Sequence, residues 1–560
     1  MQSNPENLKQ VGDAVSAQQD TNWLEMEDHR EDDVDHSLAG IQPATLPQLN
    51  WVQNNHFQHS TVTTPALHIH DHVQLCNPQL PLETTKKLPK DKTHTFSLAT
   101  LELLSNYSKG LKNIARQENS ISNTTDDIPP SNYQTQSSRK LSLAEIMRLA
   151  GERYIQFSTQ RIDGVSALIH PYGSAVADLS LAETADVELL QLLLIAAECV
   201  GHRQFDVASS LITRCRWIAS DSGNPAQRIV FYFAEALQNR IDIETGRTTP
   251  EKITEQFSYA RNLQLDSNLS FLACHQALPF SQVEQFASMQ TIIDNLKSAT
   301  KIHLIDLHIR SGVQWTVLIQ ALAEHDDRPE LLKITAVGTT NKQHIEETGK
   351  RLISFAQTLN FSLSFNVVMV SDMKELKLDM FGRAPDEAVA VYSPLILRTM
   401  ISKADSLGNA IKVIRRLKPA IVVVVEVEAN HNSPLFISRF TESLFFYSAF
   451  FDCLEDCMER DNEHRKIIEG IYFGEGIRNM IGNEGDKRCT RNVMIDVWRE
   501  FFARYGMAEV ELSDSSLRQA NMILNKFPKA SSCNLTNTGK GIVIEWKGTP
   551  IHSLTTWKFM

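Results

Sequence analysis

Residues 420–426 read Ala-Ile-Val-Val-Val-Val-Glu, and this run decides the fold class of the chain. Five consecutive β-branched residues favour a strand, and a strand that is apolar on both faces belongs in the middle of a covered, mainly parallel sheet. Four β-rich runs precede it, separated by about 20 to 30 residues, which is enough for a crossover helix. These runs are 302–307, 332–337, 363–370 and 388–392. The pattern predicts an α/β core.

Helical periodicity dominates the part of the chain before residue 301. Apolar residues recur at helical spacing in 187–200, 206–219, 226–241 and 250–263. Another helix is predicted from Ser142, which stands three residues before Glu145, the spacing of a capping box. Two late runs, 508–512 and 541–546, are predicted to form an antiparallel edge. The expected fold class is therefore α/β, with a Rossmann-like, mainly parallel sheet core and an α-helical cap.

Residues 1–140 differ in composition from the rest of the chain. They hold 17 acidic and 11 basic residues, and so carry half of the formal charge of −12. Their polar composition predicts a disordered acidic tail, followed by a helix and linker over 141–180. The tail contains three short features that suggest an interaction or a site. They are a helix at 101–111 that forms on a partner, a histidine cluster at 68–72 without the second shell of a metal site, and a lysine run at 86–92 that is either a nuclear import signal or a solvated stretch.

Composition excludes several classes of protein. The densest apolar run is six residues long, so no membrane-spanning helix is expected. The first residues lack an apolar signal region, which predicts an intracellular protein. Eight cysteines without a CxxC pair predict reduced thiols and no metal site. The formal charge of −12 disfavours a protein that coats phosphate backbones, although a local basic patch stays open.

The strand at 301–306 raises the question of a cofactor, because it ends in Asp306 and a turn follows. Binding of a dinucleotide or of S-adenosylmethionine at such a turn requires several glycines, so that the backbone can approach the ligand. This turn has one glycine, Gly312, and the bulky Ile309 and Arg310. No Walker, GxSxG or HExxH motif is present. The sequence therefore predicts no cofactor and no catalytic residue. The alternative is a methyltransferase-like enzyme with a degenerate cofactor loop.

Polar residues also follow the fifth strand, where α/β proteins usually place their sites. Glu426, Glu428 and His431 lie there, but no nucleophile or metal-ligand set accompanies them. We expect a structural role for these side chains and for Asp306.

Five motif-bearing stretches then occur in one order over about 375 residues. Residues 302–306 (Ile302, His303, Leu304, Ile305 and Asp306) match a VHIID motif, and a leucine-rich run at 189–194 precedes them. Residues 352–366 form a second leucine-rich run, 417–447 match a PFYRE region, and 546–557 match a SAW region. Together these stretches resemble the plant GRAS transcriptional regulators. The resemblance implies a GRAS domain over 181–559. Its regions are leucine repeat I with the helical cap (186–248), VHIID (270–338), leucine repeat II (345–377), PFYRE (387–481) and SAW (484–559).

The chain departs from the family pattern at several positions. Residues 474–477 read Gly-Glu-Gly-Ile instead of Gly-Arg-Glu-Ile, and 488–491 read Arg-Cys-Thr-Arg instead of Arg-Val-Glu-Arg. The DELLA and TVHYNP sequences of the gibberellin-controlled branch are absent from residues 1–140. The segment 142–157 is most similar to the branch that includes regulators of arbuscular mycorrhizal symbiosis.

The resemblance implies a nuclear transcriptional regulator and no enzyme. The expected partners are other GRAS proteins, as homo- or hetero-oligomers, and DNA-binding transcription factors, with promoter DNA contacted indirectly. The leucine-rich helix predicts a partner surface, because it is apolar over more than half of its circumference. Its candidate contacts are Leu189, Leu190, Leu193 and Leu194. The alternative is that all four leucines belong to the core of the cap.

Overall fold

The computed structural model describes residues 141–159, 179–253, 255 and 267–560. The predictions for the acidic tail, the helix at 101–111, the histidine cluster and the lysine run lie outside these residues, as does most of the predicted helix at 250–263. Among the described residues, no helix combines the length and the apolar character needed to cross a membrane.

A helical cap forms the first part of the described chain. Its helices are α1 (Leu143–Thr159), α2 (Leu181–Gly201), α3 (Phe205–Ile218) and α4 (Pro225–Glu244). The predicted capping box at the start of α1 is confirmed, because the Ser142 amide donates to Glu145 at 2.8 Å and the Glu145 amide donates to the Ser142 hydroxyl at 3.3 Å. Ser180 and Glu183 form a second capping box at the start of α2. Local sequence therefore fixes where these two helices begin.

Helices and strands alternate in the second part of the chain. The helices are α5 (Ser267–Ala277), α6 (Pro279–Leu296), α7 (Val313–Ala323), α8 (Lys342–Thr358), α9 (Ala404–Leu417), α10 (Phe436–Cys457), α11 (Glu463–Ile467), α12 (Gly474–Ile477), α13 (Ile495–Arg504) and α14 (Asp514–Leu524). The strands are β1 (Lys301–Asp306), β2 (Leu331–Gly338), β3 (Leu363–Met369), β4 (Ala388–Pro394), β5 (Ile421–Val427), β6 (Met507–Val510), β7 (Cys533–Thr538), β8 (Gly541–Trp546) and β9 (Thr549–Phe559). Two π-helical turns, Ile468–Phe473 and Arg478–Gly482, flank α12.

The nine strands of the described residues form one sheet. Its order is β3-β2-β1-β4-β5-β9-β8-β7, and β6 pairs with β9 beyond the end of β8. The pairs among β1 to β5 are parallel, and β9 runs antiparallel to β5, with Val424 opposite Thr555. The prediction of a Rossmann-like, mainly parallel core with a helical cap is confirmed. The prediction that the runs at 508–512 and 541–546 form an antiparallel edge is wrong in one respect. These runs become β6 and β8, which both pair with β9, and the edge strand is β7.

The central strand is buried on both faces, as its valine run predicts. Ile421, Val423 and Val425 join the larger core on one face, which also takes in the cap, while Val422 and Val424 join a second core on the other face. Helices α9 and α13 cover this second face. The sheet therefore has helices on both sides, and the carboxyl ends of its parallel strands lie at one edge.

Candidate functional site

The carboxyl end of β1 is the position where a Rossmann-type protein would bind its cofactor. Asp306 is fully buried there and accepts two hydrogen bonds, from the Trp315 indole Nε1 at 2.8 Å and from the His308 amide at 2.9 Å. Burial raises the pKa of Asp306 to about 6, although both donors favour the carboxylate. Trp315, itself buried, also packs edge to face against Tyr392 of β4 at 5.3 Å. These hydrogen bonds hold the turn after β1 against α7, and Asp306 is not available to a ligand.

The turn after β1 is filled by its own side chains. Leu307 and Ile309 are 2% and 4% exposed and pack into the cores on the two faces of the sheet. Helix α8 closes the turn from outside, because the Thr348 hydroxyl donates to the Arg310 carbonyl at 3.3 Å. A Cβ on Gly312, which has a φ of +67°, would lie 2.7 Å from Thr348. Gly312 thus allows close helix packing and does not open a phosphate cradle.

The end of β2 also lacks the chemistry of a cofactor site. Rossmann proteins place an acidic residue about 20 residues after the glycine turn, where it binds the ribose. Here β2 ends at Gly338 and continues with Thr339, Thr340 and Asn341. No group of three or more potential metal ligands occurs among the described residues either.

His303 of the VHIID motif lies in a buried polar chain below this turn. Its Nδ1 lies 2.9 Å from Glu387 Oε2, and its Nε2 lies 2.8 Å from the Thr335 hydroxyl. Burial and the Lys333 ammonium lower the pKa of His303 to about 4, so the ring is neutral at pH 7. The Nδ1–H therefore donates to Glu387, and Nε2 accepts from Thr335. Ile302, Leu304 and Ile305 of the motif are buried apolar residues. The motif is thus placed in the sheet core.

The acidic residues after β5 bind backbone amides. Glu426 accepts the Leu397 amide at 2.8 Å, and Glu428 accepts the Ile495 amide at 3.0 Å. Burial raises the pKa of Glu426 to about 8 and that of Glu428 to about 7. His431 pairs with Asn492, through ring Nδ1 and amide Nδ2 at 2.8 Å. These contacts fix neighbouring loops and support the expected structural role.

The structure places the four candidate leucines inside the cap. Leu189, Leu190, Leu193 and Leu194 are 2%, 0%, 0% and 3% exposed, and they pack into the larger core. A partner cannot reach these side chains unless the cap opens. Their burial thus argues against direct partner contact, and it supports the core alternative.

Sequence reasoning missed an exposed apolar surface on the same helix pair. Leu181 at the start of α2 is 92% exposed, Trp217 near the end of α3 is 89% exposed and Ile218 is 44% exposed. Helices α2 and α3 are joined by a three-residue connection and pack against each other. We call these three residues the cap-end patch. A helical wheel would have found Trp217, since it lies off the buried stripe of α3 at Ala208, Ile212 and Cys215.

A buried charge cluster connects the cap to the segment 463–482. Arg228 of α4 is fully buried, and its Nε donates to Glu469 at 3.0 Å while its Nη1 donates to Glu455 at 2.9 Å. Arg465, also fully buried, donates to Glu455 at 3.1 Å. Burial raises the pKa of Glu469 to about 7. The cluster fixes the orientation of the cap on the core, because each charge depends on partners from another segment.

These features define a class of protein with Rossmann strand order, a helical cap and a cofactor turn closed by the chain's own side chains. The profile of the GRAS domain family matches residues 189–558, which is more than half of the chain. The chain therefore belongs to the GRAS domain family, whose members include plant transcriptional regulators.

Several known proteins are similar to the chain. DELLA protein GAIP from Cucurbita maxima is 28% identical over 66% of this chain and 62% of its own length. DELLA protein RGL1 from Arabidopsis thaliana is 29% identical over 69% of this chain and 72% of its own length. A crystal structure of SCL7 from Oryza sativa is also similar. Its sequence is 26% identical to this chain, and the two structures superpose with a TM-score of 0.58 over 66% of this chain and 99% of that one. The match thus spans only about 62% of some curated relatives, DELLA protein GAIP among them.

Proposed function

We propose that the protein is a nuclear transcriptional regulator that works through protein–protein complexes. Its partners are other GRAS proteins, in homo- or hetero-oligomers, and DNA-binding transcription factors. Membership in the GRAS family supports the regulatory role. The cap-end patch carries the proposal of a docking surface, because the adjacent Trp217 and Ile218 expose large apolar side chains, and exposed apolar patches commonly mark interaction sites. The four buried leucines serve this surface by holding α2 in place.

The closed turn after β1 supports a function without catalysis. Leu307 and Ile309 of this turn are buried in the cores of the sheet, and Asp306 is already satisfied by two donors. Calorimetric titration of the purified chain with S-adenosylmethionine should therefore give no saturable heat. Micromolar binding would favour the methyltransferase-like alternative.

The charge of the chain supports recruitment to promoters through partners. A formal charge of −12 opposes contact with the phosphate backbone, so DNA-binding proteins supply the sequence recognition. We place the biological process in plant development or root symbiosis signalling, since 142–157 is similar to the branch that acts in arbuscular mycorrhizal symbiosis. The proposed organisation is a polar region over 1–140, a helix and linker over 141–180, and the GRAS domain over 181–559. Affinity purification from root tissue, followed by mass spectrometry, identifies the partners.

The docking surface is tested by replacing Trp217 with glutamate. A tryptophan at an interface hot spot contributes about 2 kcal/mol or more, so Trp217→Glu should weaken binding of a GRAS partner roughly 30-fold. Met522→Glu is the matched control, because Met522 is 59% exposed on α14, far from the cap in sequence. Both variants should melt like the wild type. Equal binding by Trp217→Glu and the wild type would remove the cap-end patch as the docking surface.

A further inference from the structure

An interior cavity of about 50 Å³ lies at the carboxyl ends of β4 and β5. It is bounded by α10, by the first π-helical turn and by the start of β9. Open α/β sheets bind ligands at this edge. The lining residues come from other segments than the turn after β1, so this cavity is separate from the closed cofactor position described above.

The wall of the cavity is mainly aromatic. Phe280, Phe446, Phe450 and Phe473 line it, together with Val427 at the end of β5. Protein interiors are close-packed, and an empty apolar cavity destabilises the fold in proportion to its volume. A binding pocket with an apolar wall and a few polar groups is the usual environment of a small ligand.

Arg398 is the charged group of this pocket. The residue is only 6% exposed, and its Nε donates to the Leu395 carbonyl at 3.1 Å. Among the described residues, its terminal nitrogens have no acceptor and no carboxylate lies within ion-pair distance. The nearby Glu426, whose charge favours the charged form of Arg398, already accepts the Leu397 amide at 2.8 Å. The terminal nitrogens of the guanidinium are therefore open to an acceptor in the cavity.

Two further features distinguish the pocket. Asn492 is 2% exposed and lines the cavity; its Nδ2 is paired with His431, whereas its Oδ1 has no donor among the described residues. Leu395 has a φ of +56°, a strained conformation for a residue with a side chain, and this strain directs its carbonyl to Arg398. Strained residues and π-helical turns are both frequent at functional sites.

We propose that this cavity binds a small monocarboxylate, with its carboxylate on Arg398 and its short apolar body against the phenylalanine wall. A planar guanidinium suits a carboxylate because it can donate two parallel hydrogen bonds. One water needs about 10 to 15 Å³ of such space, so the cavity accepts about four non-hydrogen atoms. Acetate, with four non-hydrogen atoms, and propionate, with five, match this size. The ligand site is independent of the cap-end patch, and binding is measurable without any partner.

The first experiment is calorimetric titration of the full chain with straight-chain carboxylates from acetate to octanoate. We expect saturable 1:1 binding that is tightest for acetate or propionate. Propionamide, which has the shape of propionate without the charge, should bind about 10-fold more weakly than propionate or worse. The absence of saturable binding across the series, or equal affinity for propionamide and propionate, would overturn the proposal.

Variants locate the ligand in the cavity. Arg398→Met should abolish propionate binding, and Ile468→Phe should do so by filling the pocket, because Ile468 lines it. Arg416→Met on the exposed side of α9 is the matched control and should bind normally. In the wild type, the Ile468 methyl resonance should shift on propionate addition while that of Ile345 on α8 stays unchanged. This measurement does not depend on the folding of any variant. Normal binding by folded Arg398→Met, or methyl shifts that omit Ile468, would refute the assignment.

Discussion

Replacing Leu190 with alanine separates a core role of the leucine-rich helix from an interface role. Leu190 is completely buried, whereas Leu181, on the same helix α2, is 92% exposed. The change at Leu190 removes three carbon atoms, each worth ~0.8 kcal/mol of transfer free energy, and leaves a cavity that adds to the loss. The expected decrease in the free energy of unfolding is about 2 to 5 kcal/mol. Leu181→Ala should change it by less than ~0.5 kcal/mol.

The assay is urea unfolding of the full chain, followed by far-UV circular dichroism, with hydrogen exchange of the α2 amides as a local probe. The local probe is needed because a chain of 560 residues is not expected to unfold in one two-state step. Binding of a GRAS partner is measured in parallel. If Leu190→Ala kept the stability of the wild type and lost its partner, the burial argument would be refuted and Leu190 would belong to an interface.

Three further predictions concern buried polar groups. Because burial raises the pKa of Glu426 from 4.5 to about 8, its contribution to stability is present below pH 4.5 and is lost as pH rises through 8. Glu426→Gln should therefore flatten the pH dependence of unfolding by up to ~1.4 kcal/mol per pH unit, and an unchanged slope would contradict this. Arg228→Met leaves Glu469 buried without its closest partner and should cost about 3 to 5 kcal/mol in urea unfolding; a neutral effect would mean that Glu469 is already protonated. Asp306→Ala orphans the Trp315 indole N–H and should cost about 1 to 3 kcal/mol, more than Asp306→Asn, and the reverse order in thermal melts would exclude the hydrogen bond.

The elements that sequence predicts well are those whose pattern follows from local physics. The valine run of β5 is apolar on both faces, and the structure places it in the middle of the sheet. The start of α1 follows from the Ser142–Glu145 spacing, and the closed turn follows from its single glycine. In each case, neighbouring residues already determine the environment.

The features that escaped prediction depend on distant segments. Strand β9 has three buried polar residues, Ser553, Thr555 and Thr556. Pairing with neighbouring strands and hydrogen bonds stabilise them in the interior. The polar sequence by itself resembles that of a loop. The cavity near Arg398 combines side chains from seven parts of the chain, and no spacing in the sequence connects them. The burial of the four leucines depends on α1, α3 and α4, because a helix that is apolar on most sides is compatible with both core and interface.

Hydrogen exchange of the full chain, with and without a bound GRAS partner, tests the central claim most directly. The claim is that the protein acts by assembling complexes through the exposed end of its cap. The predicted result is new protection of the amides around Trp217 in α3 and at the start of α2, with little change at the carboxyl edge of the sheet around Asp306. Protection confined to the sheet edge, with unchanged exchange in both cap helices, would contradict the account.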